Sequence, residues 1–197
     1  MARVSEISEA SLPEPLRDLY RKFTREYGDF TNQARVVAHS PEAFLHLYGL
    51  IDAWRGNGTL SRRLVEIAVV TASRVNECSY CVGHHGAALI NLGIPAETVD
   101  RILDPEPPGF DEKERLVRDY ARLVAERAWG IRDEVFAQLK LHFTDQQIVE
   151  LTIRVGICIL FNKLNQALEL DLEPGVEADV RARHLNLGKP PAGMTRK

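Results

Sequence analysis

The chain has 197 residues, of which 45% are hydrophobic and 27% are charged, and its formal net charge at pH 7 is −3. This composition is typical of a globular domain that buries a core, and it excludes an intrinsically disordered chain. The 25 basic residues are slightly outnumbered by 28 acidic ones, which argues against nucleic-acid binding through a broad basic surface.

Apolar residues recur with the period of an amphipathic α-helix along most of the chain, and alternating strand patterns are missing. The first predicted helix covers residues 13–27. A second begins at Ser40-Pro41, where serine caps the helix and proline takes its first position, and it stops at Gly56-Asn57-Gly58. A third runs from about residue 61 to 74. Apolar residues surround it almost completely, so we expect it to be central.

The rest of the chain is also predicted to be helical. The Pro-rich segment 104–109 is predicted to be a linker, since three prolines in five residues cannot continue a helix. The predicted architecture is an all-α bundle forming a single domain over residues 1–185. We expect the tail, residues 186–197, to be mobile or to lie against a neighbouring subunit. The remaining predicted helices cover residues 78–92, 95–103, 111–129, 132–142, 144–170 and 174–184.

The sequence predicts a cytoplasmic protein without a membrane span. No run of 18 apolar residues is present, and the first six residues include Arg3 and Glu6, unlike a secretory signal. Three cysteines are too few for a disulfide framework, so we expect a reducing compartment. Two closely spaced cysteines in such a compartment indicate metal binding or redox chemistry rather than a structural bridge.

The two halves of the chain are weakly similar. This similarity suggests a duplicated helical hairpin, and chance resemblance between amphipathic helices explains so few identities equally well. A duplication would leave the reactive residues to the first half alone. The matching segments are 42–47 with 134–139 and 61–67 with 145–151, which would align Asn162, Asn165 and Glu169 with Cys78, Cys81 and His85.

The segment from Glu66 to His85 carries the residues with the clearest chemistry. If a helix begins near Cys78, then Cys78, Cys81 and His85 occupy positions i, i+3 and i+7 on one face. The free N–H groups and the positive dipole end at a helix start favour a thiolate over a thiol. His85 lies one turn beyond Cys81 and can exchange a proton with it. Glu66 is on an otherwise apolar helix and needs a buried partner, for which His85 is the nearest candidate.

Such a group of residues suits peroxide reduction. One thiolate attacks the O–O bond and becomes a sulfenic acid, and the second cysteine condenses with it to a disulfide. An external thiol then restores the dithiol. Zinc binding is the alternative use of two cysteines. With a single Cys-x2-Cys and no second ligand pair at finger-like spacing, the pattern favours redox chemistry.

The pattern Glu-x11-Cys-x2-Cys-x3-His resembles the carboxymuconolactone decarboxylase and alkylhydroperoxidase AhpD-like superfamily. The resemblance covers residues 31–172 and is supported by Ala-His-Ser-Pro at 38–41, Leu-Val-Glu at 64–66 and Phe-Asn-Lys-Leu-Asn at 161–165. It implies an AhpD-like helical bundle that forms homo-oligomers, commonly trimers or hexamers.

The resemblance also implies a role for each residue of the motif. Cys81 would be the peroxidatic cysteine and Cys78 the resolving cysteine, with His85 and Glu66 as the proton relay. The peroxidases of the superfamily have a further histidine between the cysteines, where this sequence has Tyr80. The decarboxylases lack the cysteine pair.

Three further residues are candidates for the pocket, and each has an alternative structural interpretation. Tyr80 would donate a hydrogen bond in the pocket or only pack. His84 would be a partner of the relay or simply exposed. His39 would face the site or form a hydrogen bond at the start of a helix.

We therefore predict a thiol-dependent hydroperoxidase-like oxidoreductase with no cofactor and no metal ion. The expected partners are a peroxide or other small-molecule substrate and a dithiol or lipoyl-type reductant. Two alternatives stay open. One is a carboxymuconolactone decarboxylase-like enzyme that uses histidine and glutamate without redox turnover. The other is a non-catalytic redox-sensing helical protein.

Overall fold

The computed structural model describes residues 2–27 and 30–188. No β-strand occurs in these two ranges, which confirms the predicted all-α class. Short 3₁₀ segments lie at Glu9–Ser11 and Ala128–Gly130, and π-helical turns lie at Lys22–Glu26 and Phe44–Tyr48. The α-helices are α1 Glu14–Arg21, α2 Thr31–Val37, α3 Pro41–Ala43, α4 Gly49–Asn57, α5 Arg62–Val75, α6 Ser79–Asn91, α7 Ala96–Asp100, α8 Glu112–Arg127, α9 Asp133–His142, α10 Asp145–Leu168 and α11 Pro174–Ala182.

Side-chain caps begin the long helices near the predicted residues. The Ser61 side chain accepts a hydrogen bond from the backbone N–H of Leu64 at the start of α5. Asp111 with Glu114 forms a reciprocal capping box at α8, and Thr144 with Gln147 forms another at α10. These caps satisfy N–H groups that have no partner within the helix.

The N-terminal part differs from the prediction. The helix predicted over 13–27 changes from α to π geometry at Lys22, and the helix predicted from Pro41 has π geometry over Phe44–Tyr48. Helix α2 was not predicted, because its seven residues are too few to show a clear hydrophobic period. Phe30, which precedes α2, has left-handed backbone geometry with φ 57°.

Helix α5 lies at the centre of the fold, as predicted, because it packs against α6, α8 and α10. Its residues Ile67, Ala68 and Val70 are fully buried. A second apolar cluster, built around Phe44 with residues of α1 and α2, packs against Phe161 of α10. A small third cluster contains Cys78, Tyr80 and Cys81, with Phe30, Leu170 and Leu172 packed against it.

The matched segments lie on consecutive helices in both halves, but the chain continues differently after them. The chain turns between α5 and α6 at residues 76–78, whereas α10 continues without a break to Leu168. The aligned positions therefore lie on a new helix in the first half and on the same helix in the second. The similarity between the halves therefore does not extend to the turn that precedes α6.

The end of the predicted domain is attached to the fold. Leu185 is buried, and the backbone N–H of Asn186 donates a hydrogen bond to Asp100 at 3.1 Å. The rest of the predicted tail, from residue 189, lies outside the described residues. In the described part of the chain, no helix is long and apolar enough to cross a membrane.

Replacing Arg118 with methionine should lower the free energy of unfolding. The Arg118 side chain is 2% exposed and donates hydrogen bonds to the carbonyls of Ile102, Asp104 and Pro105. Losing a buried charged donor leaves these carbonyls unpaired, and we expect a cost of about 3 kcal/mol. Urea denaturation measures the change. The control is Arg122→Met on the same helix, where the arginine is partly exposed and pairs with Glu126. Equal midpoints for both variants would contradict the prediction.

Candidate active site

The start of α6 positions the cysteine pair. Glu77 has left-handed geometry, with φ 55°, and the backbone N–H of Cys78 donates to the carbonyl of Ser73 at 2.9 Å. This turn makes Cys78 the N-cap residue of α6. Its sulfur accepts a hydrogen bond from the backbone N–H of Cys81 at 3.4 Å. The helix start therefore donates directly to a sulfur atom.

The two sulfurs share a hydrogen bond of 3.0 Å, and both cysteines are free thiols. They are 1% and 2% exposed, so two adjacent charges there would be very costly. The hydrogen bond with Cys81 lowers the pKa of Cys78 to about 7, against the opposing effect of burial. Burial raises the pKa of Cys81. The pair therefore loses one proton near pH 7, and the charge rests mainly on Cys78.

An imidazole and a carboxylate meet beside the cysteine pair. Nδ1 of His85 lies 2.8 Å from Oε2 of Glu66, which connects α6 to α5. Arg62 lies 3.7 Å from the other oxygen of this carboxylate. The Glu66 side chain is 11% exposed and that of His85 is 23% exposed. Because Nδ1 is engaged, Nε2 is the nitrogen that can exchange a proton with a bound molecule.

A second imidazole–carboxylate pair lies next to the first. Nε2 of the buried His84 is 2.7 Å from Oε2 of Glu173, at the N-cap of α11. The hydroxyl of Tyr80 donates to Oε1 of Glu173 at 2.9 Å. Burial opposes the charge on Glu173, but the hydrogen bonds from His84 and the backbone N–H of Asn32 more than offset it, so the pKa of Glu173 is lowered. The Phe30 ring lies against both imidazoles, with centroid distances of 4.1 Å to His84 and 4.8 Å to His85.

A cavity of about 430 Å³ leads to Cys81. Glu66, His84 and His85 also line it, whereas Cys78 and Tyr80 do not belong to its described lining. Most of its wall is apolar, and Phe30, Tyr48, Trp54, Val69, Ile157 and Phe161 contribute to it. A molecule in the cavity would therefore lie next to Cys81, whose sulfur is 3.0 Å from that of Cys78.

The structure corrects the candidate pocket position of His39. His39 is exposed, and its Nε2 lies 2.8 Å from the carbonyl oxygen of Ser5. It connects the N-terminal segment to the end of α2 and does not belong to the described lining of the cavity. Tyr80 supports Glu173 from behind the pocket rather than lining it. His84 is a buried partner of a carboxylate, which excludes the exposed alternative.

A chain of buried amides ends on the sulfur of Cys81. The Tyr48 hydroxyl donates to Oε1 of Gln33 at 3.0 Å, and Nε2 of Gln33 donates to Oδ1 of Asn165 at 3.1 Å. Nδ2 of Asn165 then donates to Sγ of Cys81 at 3.2 Å. The three bonds run in one direction, in which each amide oxygen accepts and each amide nitrogen donates, so the last donor faces the sulfur. Such a donor favours a negative charge on Cys81.

The third cysteine is not activated in this way. Cys158 is 6% exposed and hydrogen-bonds with the hydroxyl of Ser73 at 3.3 Å. Burial raises its pKa to about 12, so it is a neutral thiol at physiological pH. Residues 2–27 and 30–188 contain no cluster of three or more histidine, cysteine or acidic side chains placed to hold a metal ion.

The sequence model of the carboxymuconolactone decarboxylase family matches residues 39–129, a little under half of the chain. A solved protein from Agrobacterium tumefaciens, described as a candidate AhpD-type antioxidant-defence protein, is 26% identical. That match covers 70% of this chain and 95% of that one, with a TM-score of 0.63. Residues 39–129 therefore resemble the carboxymuconolactone decarboxylase family, and the described fold is AhpD-like.

Two further solved structures share the fold. An AhpD-core, peroxidase-related protein from Ralstonia eutropha JMP134 matches with a TM-score of 0.78 and 24% identity, covering 89% of this chain and 94% of that one. The debrominase Bmp8, solved in complex with 2,3,4-tribromopyrrole, matches with a TM-score of 0.74 and 16% identity, covering 91% and 96%. The family match and the Agrobacterium protein support a peroxidase-related or decarboxylase-like function in general terms.

Three residues of the site are not predicted by the sequence pattern: Gln33, Tyr48 and Glu173. Gln33 and Tyr48 lie in the N-terminal segments whose helical period is interrupted, and Glu173 lies near the other end of the chain. Asn165 was noted only through its segment and the suggested duplication. Asn165 is a polar side chain on the buried face of an apolar helix. Such a side chain requires a hydrogen-bond partner, and this requirement was the one signal in the sequence that could have placed it in the site.

Replacing Asn165 with leucine should raise the pH at which the thiolate of Cys81 forms. A hydrogen bond to a charged group contributes about 1.5–3 kcal/mol, and about 1.4 kcal/mol corresponds to one pKa unit, so we expect an increase of about 1 to 2. The ultraviolet absorbance of the thiolate against pH measures it in a Cys78→Ser background. The control is Lys163→Leu, an exposed residue of the same helix. A titration unchanged by Asn165→Leu would show that the amide does not stabilise the thiolate.

Proposed function

We propose that this protein is a thiol-dependent hydroperoxidase. One observation carries the proposal: Cys81 lines a mostly apolar cavity, and the second sulfur, of Cys78, lies 3.0 Å away outside the described lining. An attacking sulfur, a resolving sulfur and an imidazole for proton transfer thus lie together. A decarboxylase-like enzyme would have no use for this arrangement of sulfurs.

The first step begins with the singly charged cysteine pair. Moving the one shared proton across the hydrogen bond to Cys78 places the charge on Cys81, where Asn165 stabilises it. The Cys81 thiolate attacks the terminal oxygen of the hydroperoxide, so an S–O bond forms and the O–O bond breaks. Sulfur is oxidised to sulfenic acid, and the alkoxide leaves as the alcohol after accepting a proton from protonated His85.

The second step closes the disulfide. Cys78 gives its proton to neutral His85, directly or through water, and its thiolate attacks the sulfur of the sulfenic acid. The S–S bond forms as the S–O bond breaks, and hydroxide leaves as water with the proton from His85. The sum is two thiols and one hydroperoxide converted to one disulfide, one alcohol and one water.

Glu66 acts on this chemistry through His85. Its carboxylate binds Nδ1 and fixes the orientation of the ring, which leaves Nε2 available for the exchange of protons. Glu150, the residue that matches Glu66 in the second half, binds the backbone and hydroxyl of Thr59 and the side chain of Arg154 instead. Glu150 therefore has a structural role and provides a control for Glu66.

A dithiol returns the disulfide to two thiols through a mixed disulfide. We propose a small dithiol or lipoyl-type reductant for this step, in the cytoplasm.

We also propose a homo-oligomer, a trimer or hexamer as the superfamily implies. The exposed Val149, Ile153 and Leu160, which follow one stripe of α10, support this assembly.

Cysteine variants test the proposal with a small organic hydroperoxide and a dithiol. Cys81→Ser should abolish turnover because it removes the attacking sulfur. Cys78→Ser should react once and leave a sulfenic acid at Cys81 that dimedone traps and mass spectrometry locates. Cys158→Ser is the matched control and should keep the wild-type rate. Equal rates for Cys81→Ser and wild type would overturn the proposal. A wild type that oxidises once but is not re-reduced by dithiol would instead indicate a redox sensor.

The rate of peroxide consumption should depend on pH and on His85. Below pH 7 the cysteine pair holds both protons, so the rate should rise through about pH 7, the pKa of Cys78. His85→Gln should slow the reaction about 10²-fold, and Glu66→Gln should slow it less. Glu150→Gln should leave the rate unchanged in the protein that remains folded. Stopped-flow measurement of single turnovers between pH 5 and 9 checks both effects. A flat profile would exclude thiolate attack as the limiting step.

A further inference from the structure

The cavity that leads to Cys81 has two chemically different ends. Near the sulfur, its lining consists of residues that are nine-tenths or more buried, such as Gln33, Tyr48 and Phe161. At the opposite end, the lining includes the exposed Arg55 and Arg62. The volume of about 430 Å³ is in the usual range for small-molecule sites. The shape suits a molecule with an apolar body and one polar end.

Helix α5 carries the lining from the opening toward the interior. Arg62, Glu66 and Val69 line the cavity in this order and lie on one side of the helix. Seven residues of α-helix span about 10 Å, which is close to the length of a para-substituted aromatic acid. The exposure decreases along this path, from 63% for the Arg62 side chain to 11% for that of Glu66 and 5% for Val69.

The lining is positively charged at the opening. It contains three arginines, Arg55, Arg62 and Arg154, and one carboxylate, Glu66. Arg154 is paired with Glu150 at 2.7 Å. Glu66 binds His85 through one oxygen, so its 3.7 Å contact with Arg62 is the weaker of its two. Arg62 is also the first residue of α5, so the positive end of the helix dipole lies on the same side of the cavity. Both features favour an anion at this end.

We propose that the cavity selects organic hydroperoxides that carry a carboxylate, with the peroxide group at Cys81 and the carboxylate at Arg62. The choice of a hydroperoxide as the reacting group rests on the proposed function. The choice of a carboxylate rests on the cavity alone. Arg62 is the specificity-determining residue. Its guanidinium presents parallel N–H donors that match a carboxylate.

The expected preference is moderate because Arg62 is largely exposed. An ion pair near the surface contributes up to about 1 kcal/mol, which corresponds to roughly fivefold in affinity. The preference should shrink as salt is added, since mobile ions screen exposed charges. An apolar body that fills the cavity adds affinity for acid and neutral compounds alike.

A binding experiment tests the anion site without any turnover. The protein is Cys81→Ser/Trp129→Phe, because Trp54 lines the cavity and Trp129 is 93% exposed. Fluorescence of Trp54 is titrated with 4-isopropylbenzoate and with the neutral 4-isopropylbenzyl alcohol. We expect the acid to bind about fivefold more tightly than the alcohol, and adding Arg62→Gln to remove this difference. Adding Arg122→Gln instead, on α8 and outside the cavity lining, should preserve it.

Equal affinities for the acid and the alcohol would overturn the proposal, and so would a preference that survives Arg62→Gln. Turnover with cumene hydroperoxide and its para-carboxylate then separates this inference from the proposed function. We expect Arg62→Gln to raise KM for the carboxylate relative to KM for cumene hydroperoxide, a ratio that a general effect on the Glu66–His85 pair would not change. Selective binding of the acid without consumption of either hydroperoxide would refute the hydroperoxidase and retain the anion site. Consumption of both hydroperoxides at equal efficiency would refute the anion site and retain the hydroperoxidase.

Discussion

A single negative charge shared by two buried sulfurs is the constraint on which the site depends. Both cysteines are almost completely buried, and an anion in such a place is stable only where donors surround it. The fold supplies them from two directions. The start of α6 donates the backbone N–H of Cys81 to one sulfur, and α10 donates the amide of Asn165 to the other. The position of the charge within the pair follows from the balance of these donors.

The neighbouring histidines have different partners because they follow each other on one helix. His84 and His85 are about 100° apart around α6, so each meets a carboxylate from a different part of the chain. His85 pairs with Glu66 of α5 and faces the cavity, and His84 pairs with Glu173 before α11. Two elements are thereby attached to α6, and the Phe30 ring packs against both imidazoles.

Local patterns were sufficient to predict the helical class and the core of the site. Glu66 needed a partner on an apolar helix, and His85 was near enough in sequence to be found. Glu173 lies 89 residues from His84, and no periodic pattern connects residues so far apart. The amide chain from Tyr48 to Asn165 was missed for the same reason, since it joins an interrupted N-terminal helix to α10. The spacing of the cysteines predicted that their sulfurs lie close together. Which sulfur holds the charge depends on burial and on hydrogen-bond donors from other parts of the fold.

The orientation of the cysteine pair also determines how an oxidised form can be reopened. Thiol–disulfide exchange proceeds through attack on one sulfur and departure of the other. Only Cys81 of the pair belongs to the described lining of the cavity, so an incoming thiol meets Cys81 and Cys78 becomes the leaving group. A sulfur whose thiolate is stabilised leaves fastest. The thiol of Cys81, the largest cause of the low pKa of Cys78 in the reduced protein, has no proton to donate once Cys81 is in a disulfide. The backbone N–H of Cys81 is still available to donate to the departing sulfur of Cys78. The N-terminal position on α6 thus makes Cys78 the nucleophile when the disulfide forms and the leaving group when the disulfide opens.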